Sequence, residues 1–148
     1  MALTDNMFAD TLLALLKKEM TSEVFSAGSS SSRNEPQAPL SEELTSERLH
    51  VTEYLNHQSN PAFSLARCRV PQGITTEKHR LTVAEWYVVE SGQGLMFLGD
   101  SEIQVNAGDT VQIPVGTPQN ITNDGHEDLV FFSVCMPRFE WETYQSLE

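Results

Sequence analysis

The chain has 148 residues and a mass of 16.5 kDa, enough for one domain with a real core and too short for two ordinary ones, which excludes large multidomain enzymes. Nine Lys plus Arg against 21 Asp plus Glu leave a formal net charge of −12, and a field of that sign repels polyanions, so nucleic acid and acidic membrane surfaces are disfavoured as partners. The longest wholly apolar run, Leu12 to Leu16, has five residues, far below the roughly 18 needed to span a bilayer.

Residues 4–20 carry Phe8, Leu12, Leu15 and Leu16 at helical spacing, with Asp5 and Asp10 early and Lys17 and Lys18 late. That polarity suits a helix dipole and predicts a short N-terminal amphipathic helix within residues 1–20. No basic residue precedes the apolar run and no small-residue cleavage site follows it, which argues against a secretory leader and for a cytoplasmic address. The next stretch, 21–47, holds Ser29-Ser30-Ser31-Ser32, two prolines and few large apolar residues. It offers too little apolar surface to offset its ordering entropy and reads as a flexible linker or arm.

From Arg48 to residue 148 the texture changes to short apolar runs about ten residues apart, separated by turn signals such as Asn60-Pro61, Ser91-Gly92, Ala107-Gly108-Asp109 and Asn123-Asp124-Gly125. This is the pattern of an all-β sandwich or barrel. It predicts strands near 49–55, 62–70, 77–81, 84–90, 94–98, 101–105, 110–114, 118–122 and 128–136. In the second, Ser64, Ala66, Cys68 and Val70 share one face, and Leu65, Arg67 and Arg69 the other, with the arginines outward. Between 84 and 89 both alternating sets are largely apolar, which reads as a strand covered on both sides. Trp86 and Val88 then need cover from the N-terminal arm or a second subunit, and a homodimer is expected.

One carboxylate, Glu85, interrupts the apolar strand Val83-Ala84-Glu85-Trp86-Tyr87-Val88-Val89. A buried carboxylate needs a metal, a partner or a raised pKa, and the nearest candidate partner in sequence is His79; the alternative is a glutamate at a strand edge touching water. Cys68 and Cys135 are too few for a disulfide framework and read as reduced core thiols.

The spacing Gly73-x5-His79-x-Leu81-x3-Glu85-x6-Gly92, followed after 15 residues by Gly108-x5-Pro114-x-Gly116-x2-Gln119-x3-Asn123, resembles the two signature motifs of the cupin superfamily, matching eight of ten defining positions. Arg48 to about Tyr144 is similar to single-domain cupins of the mannose-6-phosphate isomerase-like kind, a likeness of sequence that does not itself carry the sugar reaction. The resemblance implies a cupin β-sandwich barrel of jelly-roll type, often a pair of such barrels, with a divalent transition metal held inside by histidines and a glutamate. The two departures fall on ligand positions: Leu81 and Gln119 stand where the motifs place histidines. Carried over, the metal set is His79, Glu85 and Gln119, sparse for a transition metal.

Two readings follow from the resemblance. The three residues hold a metal and leave positions for a small polar metabolite, with proton transfer by Glu85 as the catalytic step of an isomerase, epimerase or lyase. Alternatively Leu81 plugs the site and the cup binds a small ligand with no metal and no turnover. Tyr87, Cys68 and Leu81 are candidates for lining the substrate pocket, with plain core packing the alternative for Tyr87 and Cys68. The motif glycines read as turn residues, and Asn123 as a residue shaping the turn after its strand.

Overall fold

The computed structural model describes residues 40–148; the predicted helix over 1–20 and the arm as far as residue 39 lie outside the described residues. Eleven strands run in chain order: β1 (Glu43–Leu44), β2 (His50–Leu55), β3 (Ser64–Val70), β4 (His79–Leu81), β5 (Ala84–Ser91), β6 (Gln93–Leu98), β7 (Ser101–Asn106), β8 (Thr110–Ile113), β9 (Gln119–Thr122), β10 (Leu129–Met136) and β11 (Tyr144–Ser146). A single 3₁₀ turn, Trp141–Thr143, precedes β11. Each predicted strand has its counterpart. The two additions, β1 and β11, are short and lie at sheet edges.

The strands form two antiparallel sheets, β1-β2-β3-β10-β5-β8 and β11-β4-β9-β6-β7, closed on one another as the expected β-sandwich barrel. Alternation decides what lies between them. Cys68 and Val70 of β3, Tyr87 and Val89 of β5, Val111 and Ile113 of β8, and Leu129 and Phe131 of β10 meet Met96, Val105 and Ile121 of the second sheet in one buried cluster. The opposite face of the first sheet carries its own cluster of Leu65, Val88, Phe132 and Val134, with Tyr54 and Leu55 packed against it. Val88, expected to need cover, is wholly buried there. The arginines point outward as predicted, Arg67 to Glu90 at 3.0 Å and Arg69 to Glu42 and Asp128 at 2.7 and 3.2 Å.

The hairpin between β5 and β6 turns on Gly92, at φ +82°, a conformation that L side chains resist. A Cβ there would also stand 2.5 Å from the Asp128 carbonyl oxygen and 2.9 Å from Leu129 Cα. Both obstacles are backbone at the start of β10, so glycine is required twice over. Asn123 donates to the Val70 and Glu127 carbonyls at 2.9 and 2.8 Å and accepts from Gly125 N–H at 2.9 Å, which gives it the turn-shaping part expected of it.

Candidate functional site

Two strands from one sheet and one from the other bring His79, Gln119 and Glu85 together. His79 opens β4 and Gln119 opens β9, where the two are direct cross-strand partners, so their side chains are neighbours on one face. Gln119 reaches across the sandwich, and its Nε2 donates to Glu85 Oε1 at 2.8 Å. The other carboxylate oxygen accepts from Ser133 Oγ at 2.6 Å, with Cys135 Sγ at 3.7 Å. Both donors sit two apart on β10, which is why they share a face with Glu85 on the adjoining β5. His79, Glu85 and Gln119 are 3%, 6% and 1% exposed.

Hydrogen bonding defines what each side chain can still do. His79 Nδ1 lies 2.9 Å from the Glu77 carbonyl oxygen. A carbonyl only accepts, so Nδ1 carries a proton and donates it, and Nε2 is the ring nitrogen not engaged by that bond. The ring is further fixed by stacking on Tyr144, with centroids 4.6 Å apart and planes at 19°. Tyr144 belongs to β11, which pairs with β4, and its hydroxyl donates to Glu77. Gln119 Oε1 is buried with no hydrogen-bond partner among the described residues, a state that costs free energy unless something supplies a donor or a cation. Burial pushes the Glu85 carboxyl above the ordinary range, against the opposing pull of Ser133, Gln119 and His79.

A cavity of about 500 Å³ opens beside Glu85. Cys68, Tyr87 and Ser133 form its inner wall, and Phe139 and Trp141 its aromatic lip. The lip is held by Phe139 N–H donating to Ser64 Oγ at 2.8 Å and Arg138 N–H to the Pro61 carbonyl at 3.1 Å. Of the pocket residues expected from the sequence, Tyr87 and Cys68 line this cavity, whereas Leu81 does not; it packs with Val83 and Cys135 under Phe139 and Tyr144. His79 and Gln119 stand behind Glu85 rather than in the wall. Burial raises both thiols, Cys68 and Cys135, which disfavours the reactive thiolate, and neither is bonded in a disulfide.

Sequence reasoning missed Glu47. The turn over 45–49, closed by Thr45 N–H to the Leu49 carbonyl and Arg48 N–H to the Thr45 carbonyl, presents Glu47 to the cavity. Arg48 takes φ +68° there, a conformation that non-glycine residues rarely adopt. Its side chain reaches away, donating to the Thr75 carbonyl at 2.8 Å and to Glu148 at 2.9 Å. Burial, then the charges of Glu85 and Glu77, push the Glu47 carboxyl up to about 8. One acid in a polar stretch gives no pattern from which this placement can be read.

Two antiparallel sheets closed on one another, with polar side chains meeting between them, define a β-sandwich barrel of jelly-roll type. The Cupin domain family matches residues 66–135. Uncharacterized protein MJ1618 of Methanocaldococcus jannaschii is 37% identical over 86 residues, covering 57% of this chain and 69% of that protein. The chain therefore belongs to the cupin superfamily. Its fold is similar to that of a single-residue variant of Streptomyces PAC13 with uridine (TM-score 0.62, 18% identity, 76% of this chain and 92% of that one). It is also similar to a predicted oxalate decarboxylase from Thermotoga maritima (TM-score 0.62, 23% identity, 67% and 94%). CapF with 3-isopropenyl-tropolone matches at TM-score 0.62 and 26% identity over 76% of this chain and 35% of that one.

Proposed function

We propose that this cupin binds one divalent transition metal through His79, Glu85 and Gln119 and a small polar metabolite in the adjoining cavity. The observation that carries the reading is the buried, partnerless Gln119 Oε1, set beside a histidine whose Nδ1–H is anchored to a carbonyl, the arrangement that orients a metal-ligating imidazole. With the Glu85 carboxylate, the set offers one nitrogen and two kinds of oxygen, which suits a borderline divalent ion. Such an ion supplies Lewis-acid polarisation of a carbonyl or hydroxyl. The chain's own contribution is to aim Glu85 with three donors and, by burial, to hold its carboxyl above the ordinary range, which suits it to take or give a proton. Proton transfer beside a polarised carbonyl is the chemistry of sugar isomerases, epimerases and some lyases.

One observation favours a second reading, a ligand-binding cupin without turnover. Among the described residues no group of three or more His, Cys, Asp or Glu could hold a metal, and Leu81 fills the position of a further ligand with packed hydrocarbon. Elemental analysis of protein purified without chelator separates the two. We expect near-stoichiometric zinc, nickel, manganese or iron in the wild type and less than about a tenth of that in Glu85→Ala. Equal trace content in both proteins would leave the metal-free binder.

We also propose that two chains pair through the outward face of the first sheet, where half-buried Trp86 lies beside Val134 and Gln112. Light scattering at micromolar concentration should give twice the chain mass, and Trp86→Glu should return it to the monomer value. A monomeric wild type removes the proposal.

A further inference from the structure

The cavity beside Glu85 is lined by four carboxylates, Glu43, Glu47, Glu53 and Glu85, and by no lysine, arginine or histidine among the described residues. Arg48, the basic side chain next to Glu47, is tied outward to Thr75 and Glu148. The Glu47 carboxyl makes no hydrogen bond or ion pair with any described residue, so its ionised form in this partly dry cleft calls for a compensating charge. An anionic metabolite entering here would meet acidic side chains and no basic partner among the described residues, an arrangement that works as specificity. The remaining wall is apolar and aromatic: Leu49, Val51 and Tyr87 inside, Phe139 and Trp141 at the lip. Ring faces attract cations as well, and the cavity, about 500 Å³, is far larger than a bare ion.

We propose that the metabolite of this cavity is a small organic cation, an amine whose ammonium seats against Glu47 while its carbon chain lies against Tyr87 and the Phe139–Trp141 lip. This rests on the reading of the cavity as the metabolite's seat, and adds to it the charge of the ligand and a specificity-determining residue, Glu47, that lies outside both sequence motifs.

A four-carbon series that changes only charge tests it: 1,4-diaminobutane, 1,4-butanediol and succinate, titrated calorimetrically into the full chain at near-physiological salt, where diffuse attraction to the acidic surface is screened. The diamine should bind at least about tenfold more tightly than the diol, and succinate should give no heat. Glu47→Gln should erase the diamine's advantage, and Trp141→Ala should weaken the diamine and the diol alike, both variants keeping the wild-type circular dichroism. If the diol or succinate binds as well as the diamine, or if Glu47→Gln leaves the diamine's affinity unchanged, the charge assignment is wrong while the cavity remains a seat. If none of the three binds at millimolar concentration, the seat itself is lost and the inference with it.

Discussion

Leu81→His should produce a protein that is less stable than wild type without metal and more responsive to metal than wild type. Leu81 is 3% exposed and packs with Val83 and Cys135 beneath Phe139 and Tyr144, so an imidazole there loses apolar contacts and brings a polar ring into the core. A loss of about 2–4 kcal/mol is expected in the metal-free state. Position 81 shares the inward face of β4 with His79, since the intervening Arg80 is exposed. Its neighbour Cys135 is the cross-strand partner of Glu85. A second imidazole therefore joins the donor set, and a further nitrogen ligand should tighten zinc or nickel by roughly tenfold to a hundredfold. Metal at 100 times its dissociation constant adds about 2.7 kcal/mol to stability, enough to recover much of the loss. Melting curves of both proteins with and without each metal read the result. A variant that melts early regardless of metal, beside a wild type that does not respond, sinks the metal centre.

Stability should fall as pH rises from about 5 to 8, and Glu47→Gln should remove most of that slope. The Glu47 carboxyl is held up to about 8 in the folded chain, chiefly by burial and then by Glu85 and Glu77, against an ordinary unfolded value near about 4.3. Below the unfolded value the group is protonated in both states and costs nothing. Between the two values the unfolded chain releases its proton while the folded chain keeps it, so the folded state binds more protons and stability declines with pH until the folded group ionises. One proton sets a ceiling of about 1.4 kcal/mol per pH unit. Because Glu47 keeps some contact with solvent, we expect a total nearer about 1–2 kcal/mol. Glu85 is raised by burial too and contributes with the same sign, so a residual slope should survive in the variant. Urea unfolding at pH 5, 6, 7 and 8 measures both profiles; parallel lines for the two proteins would show that Glu47 is not held neutral.

The barrel was legible because its strands announce themselves twice, by alternation and by the turns between them. β3 illustrates this, since the inward face read from Ser64 to Val70 carries Cys68 and Val70 into the core. The additions β1 and β11 have two and three residues, too few for any periodicity, and they exist because β2 and β4 offer open edges. The motif spacing pointed to His79, Glu85 and Gln119 from separate segments, and the β4–β9 register makes two of them neighbours. What spacing could not convey was the direction of the Gln119 amide, nitrogen to Glu85 and oxygen left alone, or that Leu81 turns toward Val83 and Cys135 instead of the cavity. Glu47 and Tyr144 act at long range in sequence, one through a tight turn and the other through a stacked ring, and local pattern holds no trace of either.

The aromatic lip has a practical consequence. The chain has two tryptophans, and they report on different places. Trp141 lines the cavity mouth, 57% exposed, with its ring edge-on to Phe139 at 5.2 Å and to Tyr144 at 5.5 Å. Trp86 lies on the outward face of the first sheet. An occupant entering the cavity changes the polarity around one indole and leaves the other untouched, so Trp86→Phe turns the molecule into its own single-emitter optical sensor. Libraries of unlabelled compounds can then be screened by emission wavelength alone.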